Sequence, residues 1–344
     1  MKKRLLISIL ALAAALTSCV KVEYDMPAAA PSYSINDLSD QKIGFNTVLY
    51  SQQTKAAGTT PLPDGSSFRT FGFYTGAYDW GKLKSSTMVS YIMGAKVSKI
   101  DGEWHTENDY YWPKSGKLSF ISYAPADAGL GIQISGDLPD LFAPDYENNG
   151  TDLLIAFSEN KTLSNSQNGV DVSFRHALSQ VNLQFKAKTL EANGLKFDIT
   201  VTDVSISDVC KIADFKWSGD TQEISWTNPD SPQAVSFRPS TGVTLDPNSF
   251  KSLGSQIIIP QQTSGISLNV TFTLVTKNSS GTTLDSADIT CGDIPLNTND
   301  ITAWEVNHNY TYNIIINPLS DQTITFEATV GDWNTTSSET SMNE

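Results

Sequence analysis

The chain has 344 residues, with 37 acidic side chains against 23 basic ones and a formal net charge of −14. Lys2, Lys3 and Arg4 belong to a leader, and setting those three cations aside takes the mature charge from −14 to −17, which argues against nucleic acid or bare anionic lipid as a partner. Three cysteines are too few for a disulfide framework, and three histidines leave little material for a metal centre.

Leu5 to Leu16 is apolar or small apart from Ser8, a stretch of about 12 residues where a spanning helix needs roughly 20. Residues 1–18 therefore read as a signal peptide, and no later segment has the length of a membrane helix. The leader ends in Leu16-Thr17-Ser18-Cys19, which resembles the bacterial lipobox, where the Cys is acylated and becomes the new N-terminus. Several palmitate-type chains at ~0.8 kcal/mol per buried CH₂ would hold the protein firmly to a membrane surface through Cys19. Residues 19–40, rich in Ala, Pro, Ser and Asp, read as a tether.

Strand signals then recur. Lys42 to Tyr50, Phe71 to Tyr78, Lys117 to Tyr123, Asp152 to Phe157, Val170 to Leu178 and Val181 to Lys186 are short and apolar or alternating. Alternation lapses between Thr189 and Gly194, so a first domain is expected over 41–190 and a second over 191–344, the latter with a polar tail. About 300 residues suit two cores of ordinary size. The second half continues with Phe197 to Ile206, Ala234 to Phe237, Gln256 to Ile259, Ile266 to Leu274, Tyr310 to Ile316 and Ile324 to Val330. Ile266, Leu268, Val270, Phe272 and Leu274 share one parity, as a half-buried strand requires. No long amphipathic helix interrupts the pattern, which predicts an all-β protein built of sandwiches.

Chemistry is poorly represented. His105, His176 and His308 stand at no metal-ligand spacing, and the HExxH, GxSxG and phosphate-loop patterns are missing. His176, within Phe174-Arg175-His176-Ala177-Leu178, reads as a hydrogen-bonded structural residue. Abundant carboxylates alone do not define a glycosidase pair. No enzyme, cofactor or metal is expected. Trp80, Trp104, Tyr110, Tyr111 and Trp112 crowd a loop-rich stretch, where they either stack on sugars or fill a core, the core being favoured. Cys210 and Cys291 either pair as a disulfide or stay as separate thiols.

The order of landmarks is more informative than any one motif. Cys19 is followed by a strand and Thr54-Lys55-Ala56, then Phe71-Gly72-Phe73-Tyr74, Tyr110-Tyr111-Trp112-Pro113 and Leu118 to Ala124. Asp152 to Ala156 leads to Val172-Ser173-Phe174-Arg175-His176-Ala177-Leu178-Ser179-Gln180-Val181, and the chain closes with Asn309-Tyr310-Thr311-Tyr312 and Val330-Gly331-Asp332-Trp333. This series resembles the fimbrillin-like family, subunits of type V pili, across the mature chain. The resemblance implies two transthyretin-like β-sandwich domains in tandem, export as an outer-membrane lipoprotein, and a final place in an extracellular fimbrium that supports adhesion and biofilm formation. It also implies that an N-terminal segment is cut away, after which a strand of another subunit fills the groove by β-strand addition.

The residues suggest where. Ile43, Phe45 and Leu49 share a face in the candidate self-strand Lys42 to Tyr50, and Lys55 stands where the family often carries an Arg before a small residue, with Arg69 as a fallback cut. Ile324 to Val330 fits a permanent strand of the second domain better than a donor strand, and stalk, tip and anchor positions all remain compatible. The alternative function is a monomeric surface lipoprotein that binds glycan or host protein through the Trp80 to Trp112 region.

Overall fold

The computed structural model describes residues 37–49, 62–83, 88–134, 136–237, 241–319 and 324–333, and among them the chain forms strands and two short 3₁₀ turns but no α-helix. The first half carries β1 (Leu38–Lys42), β2 (Phe45–Leu49), β3 (Ser67–Gly76), β4 (Val89–Ile100), β5 (Glu103–Thr106), β6 (Tyr111–Pro113) and β7 (Lys117–Ala124). It continues through β8 (Gly131–Ile134), β9 (Pro139–Glu147), β10 (Leu154–Lys161) and β11 (Val170–His176). The second half carries β12 (Ser179–Ala187), β13 (Glu191–Ala192), β14 (Leu195–Trp217), β15 (Ile224–Ser236), β16 (Val243–Thr244) and β17 (Lys251–Ile258). Its remaining strands are β18 (Gln261–Gln262), β19 (Ser267–Asn278), β20 (Thr283–Pro295), β21 (Ala303–Trp304), β22 (His308–Ile316) and β23 (Ile324–Asp332).

A seven-stranded sheet in the order β2-β11-β10-β7-β3-β4-β5 dominates the first half. It is apolar on both sides, which explains why β7 reads as a nearly continuous run rather than an alternation: Leu118 and Phe120 enter one core, Ile121 and Tyr123 the other. The sheet curls until its edges β2 and β5 approach each other, and Phe45, Phe68, Phe120, Phe174 and Trp112 fill its concave side. The small β1/β6 ladder adds Ser39 Oγ donating to the Trp112 carbonyl at 3.0 Å.

The second half is a sandwich of the sheet β17-β12-β22-β23 against β14, β19 and their neighbours. Val181, Leu183 and Phe185 face Ile199, Val201, Leu268 and Phe272 in one cluster, closed by Trp304 and Tyr312. β12 runs parallel to β22 and belongs to this core, although it precedes position 190, so the change of core falls at Leu178 and Ser179. The chain changes sheets there, where Asn307 N donates to the Leu178 carbonyl at 3.0 Å. β14 continues beyond the second core: Ile199 to Ile206 lie in it, while Ala213, Phe215 and Trp217 join Phe71, Phe73, Trp80 and Tyr123 in a core on the other face of the seven-stranded sheet.

Several strands were hidden in the sequence. β4 loses its alternation because a bulge at Gly94 shifts the register from Thr70↔Ala95 to Phe71↔Met93. Gly94 has φ +72°, and a Cβ there would meet the Phe71 ring at 3.2 Å. In β14 the buried parity changes after Val201 and again near Asp208, whose φ is +62°, so only its first part shows one clean period. β9 contains two prolines, and β20 is an exposed edge with little apolar content.

Candidate strand-replacement site

The segment 43–49 is held at the rim of the seven-stranded sheet by its own alternation. Ile43, Phe45 and Leu49 are 4, 4 and 7% exposed and lie in the concave core, whereas Asn46 between them faces outward. Phe45 meets Phe68 and Phe120 edge-on, with ring centroids 5.7 and 5.6 Å apart. Burying three such side chains is worth about 5–9 kcal/mol of transfer free energy. The sequence-derived self-strand and its three inward residues are therefore brought together on one face.

β2 is the terminal strand of its sheet and pairs in parallel with β11, from Phe45↔Val170 to Leu49↔Phe174. Val170 N donates to the Gly44 carbonyl at 2.8 Å, and Asn46 Nδ2 to the Asn168 carbonyl at 2.6 Å. On its other side β11 matches β10 only at His176 and Arg175. Val170, Val172 and Phe174 thus turn their backbone groups to β2, while on the β10 side Ser158 Oγ donates to the Asp171 carbonyl at 2.7 Å. This dependence had no signal in the sequence, because it needs the register of three strands at once.

The preceding β1 is clipped by exposed pairs, Lys42 to Asp109 at 2.7 Å and Lys114 to Asp37 at 2.6 Å. The Asp109 carboxylate accepts from Lys42 and holds its ammonium above the usual range, and Asp37 does the same for Lys114. A cleft of about 420 Å³ opens beside β2, lined among others by Gly44, Asn46, Glu103, Trp104 and Asn168.

Other predicted site residues fall differently. Cys19 and Lys55 lie outside the described residues. Arg69 is unsuitable as a cut site: it sits within β3, paired to Lys96 on one side and Tyr123 on the other, and its guanidinium donates to the Ala126 and Gly94 carbonyls at 2.9 and 2.6 Å. A protease needs an extended backbone free of such a ladder. Cys210 and Cys291 are free thiols, on β14 and β20 with β19 between them. Two interstrand steps of about 4.8 Å exceed the ~4.4–6.8 Å Cα separation that a disulfide spans, so the pairing is ruled out in this fold. Desolvation pushes both thiols up in pKa.

The aromatic crowd does not form an exposed stacking platform. Trp80 and Trp112 are buried, Trp80 Nε1 donating to the Gly219 carbonyl at 2.8 Å, and Trp104, Tyr110 and Tyr111 are partly buried. His176 is structural: its Nδ1 lies 2.6 Å from Asp152 Oδ2, and its ring stacks on Trp333 at 3.9 Å and 6°. Trp333 directly follows β23, which pairs with β22 over its whole length. Among the described residues no group of three or more His, Cys, Asp or Glu could hold a metal, and no helix is long and apolar enough to cross a membrane.

An all-β sandwich protein with an apolar edge strand ahead of a candidate cut is the class that these features define. The model of a family described as fimbrillin-like matches residues 74–333, and the chain belongs to that family. Among solved structures, a fimbrial protein from Bacteroides vulgatus is similar over 86% of this chain and 100% of its own, with a TM-score of 0.62 at 17% identity. A candidate cell adhesion protein from Bacteroides uniformis covers 86% of this chain and 99% of its own, with a TM-score of 0.50 at 15% identity. At such identities the likeness concerns the fold. No curated protein matches the chain.

Proposed function

We propose that the protein is a structural, non-enzymatic subunit of a bacterial surface fimbrium, made as an outer-membrane lipoprotein precursor acylated at Cys19 and assembled by strand replacement. Its two sandwich halves act as tandem domains. A trypsin-like enzyme cuts after Lys55 and releases the segment that holds Cys19, β1 and β2. A strand of another fimbrial subunit then pairs with β11, and the polymer contributes to adhesion and biofilm formation. One observation carries the reading: β2 is an edge strand that buries Phe45 and Leu49 in an apolar core, and it is the ladder partner of Val170, Val172 and Phe174 of β11, the β10 ladder being confined to Arg175 and His176. Losing β2 therefore leaves both an open apolar groove and unpaired backbone, a combination that demands another strand. Family membership supports the subunit role.

The test is to treat the precursor lacking the leader and Cys19 with a trypsin-like protease, then record intact mass and run unboiled denaturing gels. A single cut after Lys55 followed by a ladder of polymers is the expected outcome, with the Lys55→Ala variant remaining uncut and monomeric. A trimmed protein that stays monomeric at high concentration would count against strand replacement.

A further inference from the structure

This inference rests on the strand-replacement reading and concerns which strand the groove accepts. Four side chains of the 43–49 segment are buried at alternating positions: Ile43, Phe45, Thr47 and Leu49. Three are apolar, and the third in order is not. Thr47 is 7% exposed, and its Oγ1 has no hydrogen-bond partner among the described residues. It stands opposite Val172 in the ladder, and its inward neighbours Phe45 and Leu49, like Val172, belong to the apolar cluster.

Other buried hydroxyls of this sheet are satisfied. Ser122 Oγ donates to Thr70 Oγ1 at 2.9 Å, Thr75 Oγ1 donates to the Tyr78 carbonyl at 2.9 Å, and Ser119 Oγ accepts from Asn160 N at 3.0 Å. Thr47 breaks that pattern on the strand that the reading removes. A buried hydroxyl without a partner loses its hydration and regains nothing.

We propose that Thr47 is a built-in weakness of the resident strand, and that the subunit strand replacing it carries an aliphatic residue at this third inward position. Backbone hydrogen bonds to β11 are the same for any strand, so discrimination falls to the inward side chains. A resident with one uncompensated hydroxyl holds the precursor folded yet yields to a strand that is apolar at all four positions. Ile324, Phe326, Ala328 and Val330 of β23 have that composition within this chain.

Two measurements test it. Melting of the uncut precursor should rise by about 2–4 °C in Thr47→Val and should not rise in Thr47→Ser. Trimmed protein is then titrated with fluorescein-labelled peptides spanning Gln41 to Leu49, one of natural sequence and one carrying Thr47→Val. The substituted peptide should bind about tenfold tighter, a difference of ~1.4 kcal/mol. Equal or weaker binding of the substituted peptide overturns the inference while leaving strand replacement intact, as does an unchanged or lower melting temperature in Thr47→Val. Failure of both peptides to bind overturns strand replacement itself, and the inference with it.

Discussion

At the scale of single residues, Phe45 is the anchor of the resident strand. It contacts Phe68 and Phe120 edge-on and is almost wholly buried at the rim of the sheet. Phe45→Ala should destabilise the precursor by about 3–5 kcal/mol in denaturant unfolding, because the cavity opens next to a strand with only one ladder neighbour. An effect below about 1 kcal/mol would mean that the segment is loosely seated. Tyr146 gives a pH signature. Burial, aided by the Asp152 carboxylate, pushes its phenol up to about 12. The unfolded phenol titrates near 10, so its contribution is intact below about pH 10 and is lost as pH rises through 10–12. Thermal stability should fall across that window with phenolate absorbance following it, and Tyr146→Phe should flatten this part of the profile.

At the scale of elements, legibility followed the regularity of the ladder. β19 and β23 alternate cleanly because one face meets the core, and β7 reads as a continuous run because both faces do. β4 escaped, and β14 was read only as far as Ile206, because bulges at Gly94 and near Asp208 switch the inward parity, so no single period spans either strand. The candidate site was half legible. Ile43, Phe45 and Leu49 announced themselves by spacing, whereas the dependence of 170–174 on β2 arises from pairing between segments more than a hundred residues apart in sequence. Arg69 looked available only while its strand was unknown. The same holds for Cys210 and Cys291, where the intervening β19 decides the question and composition could not. Trp80 and Trp112 were ambiguous until their burial was known, and burial assigns them to cores.

At the scale of the whole molecule, β14 ties the halves together. Its first part lies in the core of the second sandwich and its last part in the core behind the seven-stranded sheet. Trp333 reinforces the junction, joining that second core at the end of β23 and stacking on His176 of β11. The inward side chains of β2, the edge strand that would be exchanged, lie on the opposite, concave side of the same sheet, in a separate cluster. Loss of β2 therefore opens one core and leaves the other two packed, which is what a subunit needs if it is to remain folded while awaiting a partner.

If β11 exchanges one strand for another, hydrogen exchange at the amides of Val170, Val172 and Phe174, which point toward β2, reads it directly. These amides should be protected in the uncut precursor, exchange rapidly in freshly trimmed monomer, and become protected again in the polymer, while those of β14 stay protected throughout. Protection at these three amides that is unchanged by trimming, or that fails to return on polymerisation, would mean that no strand is exchanged.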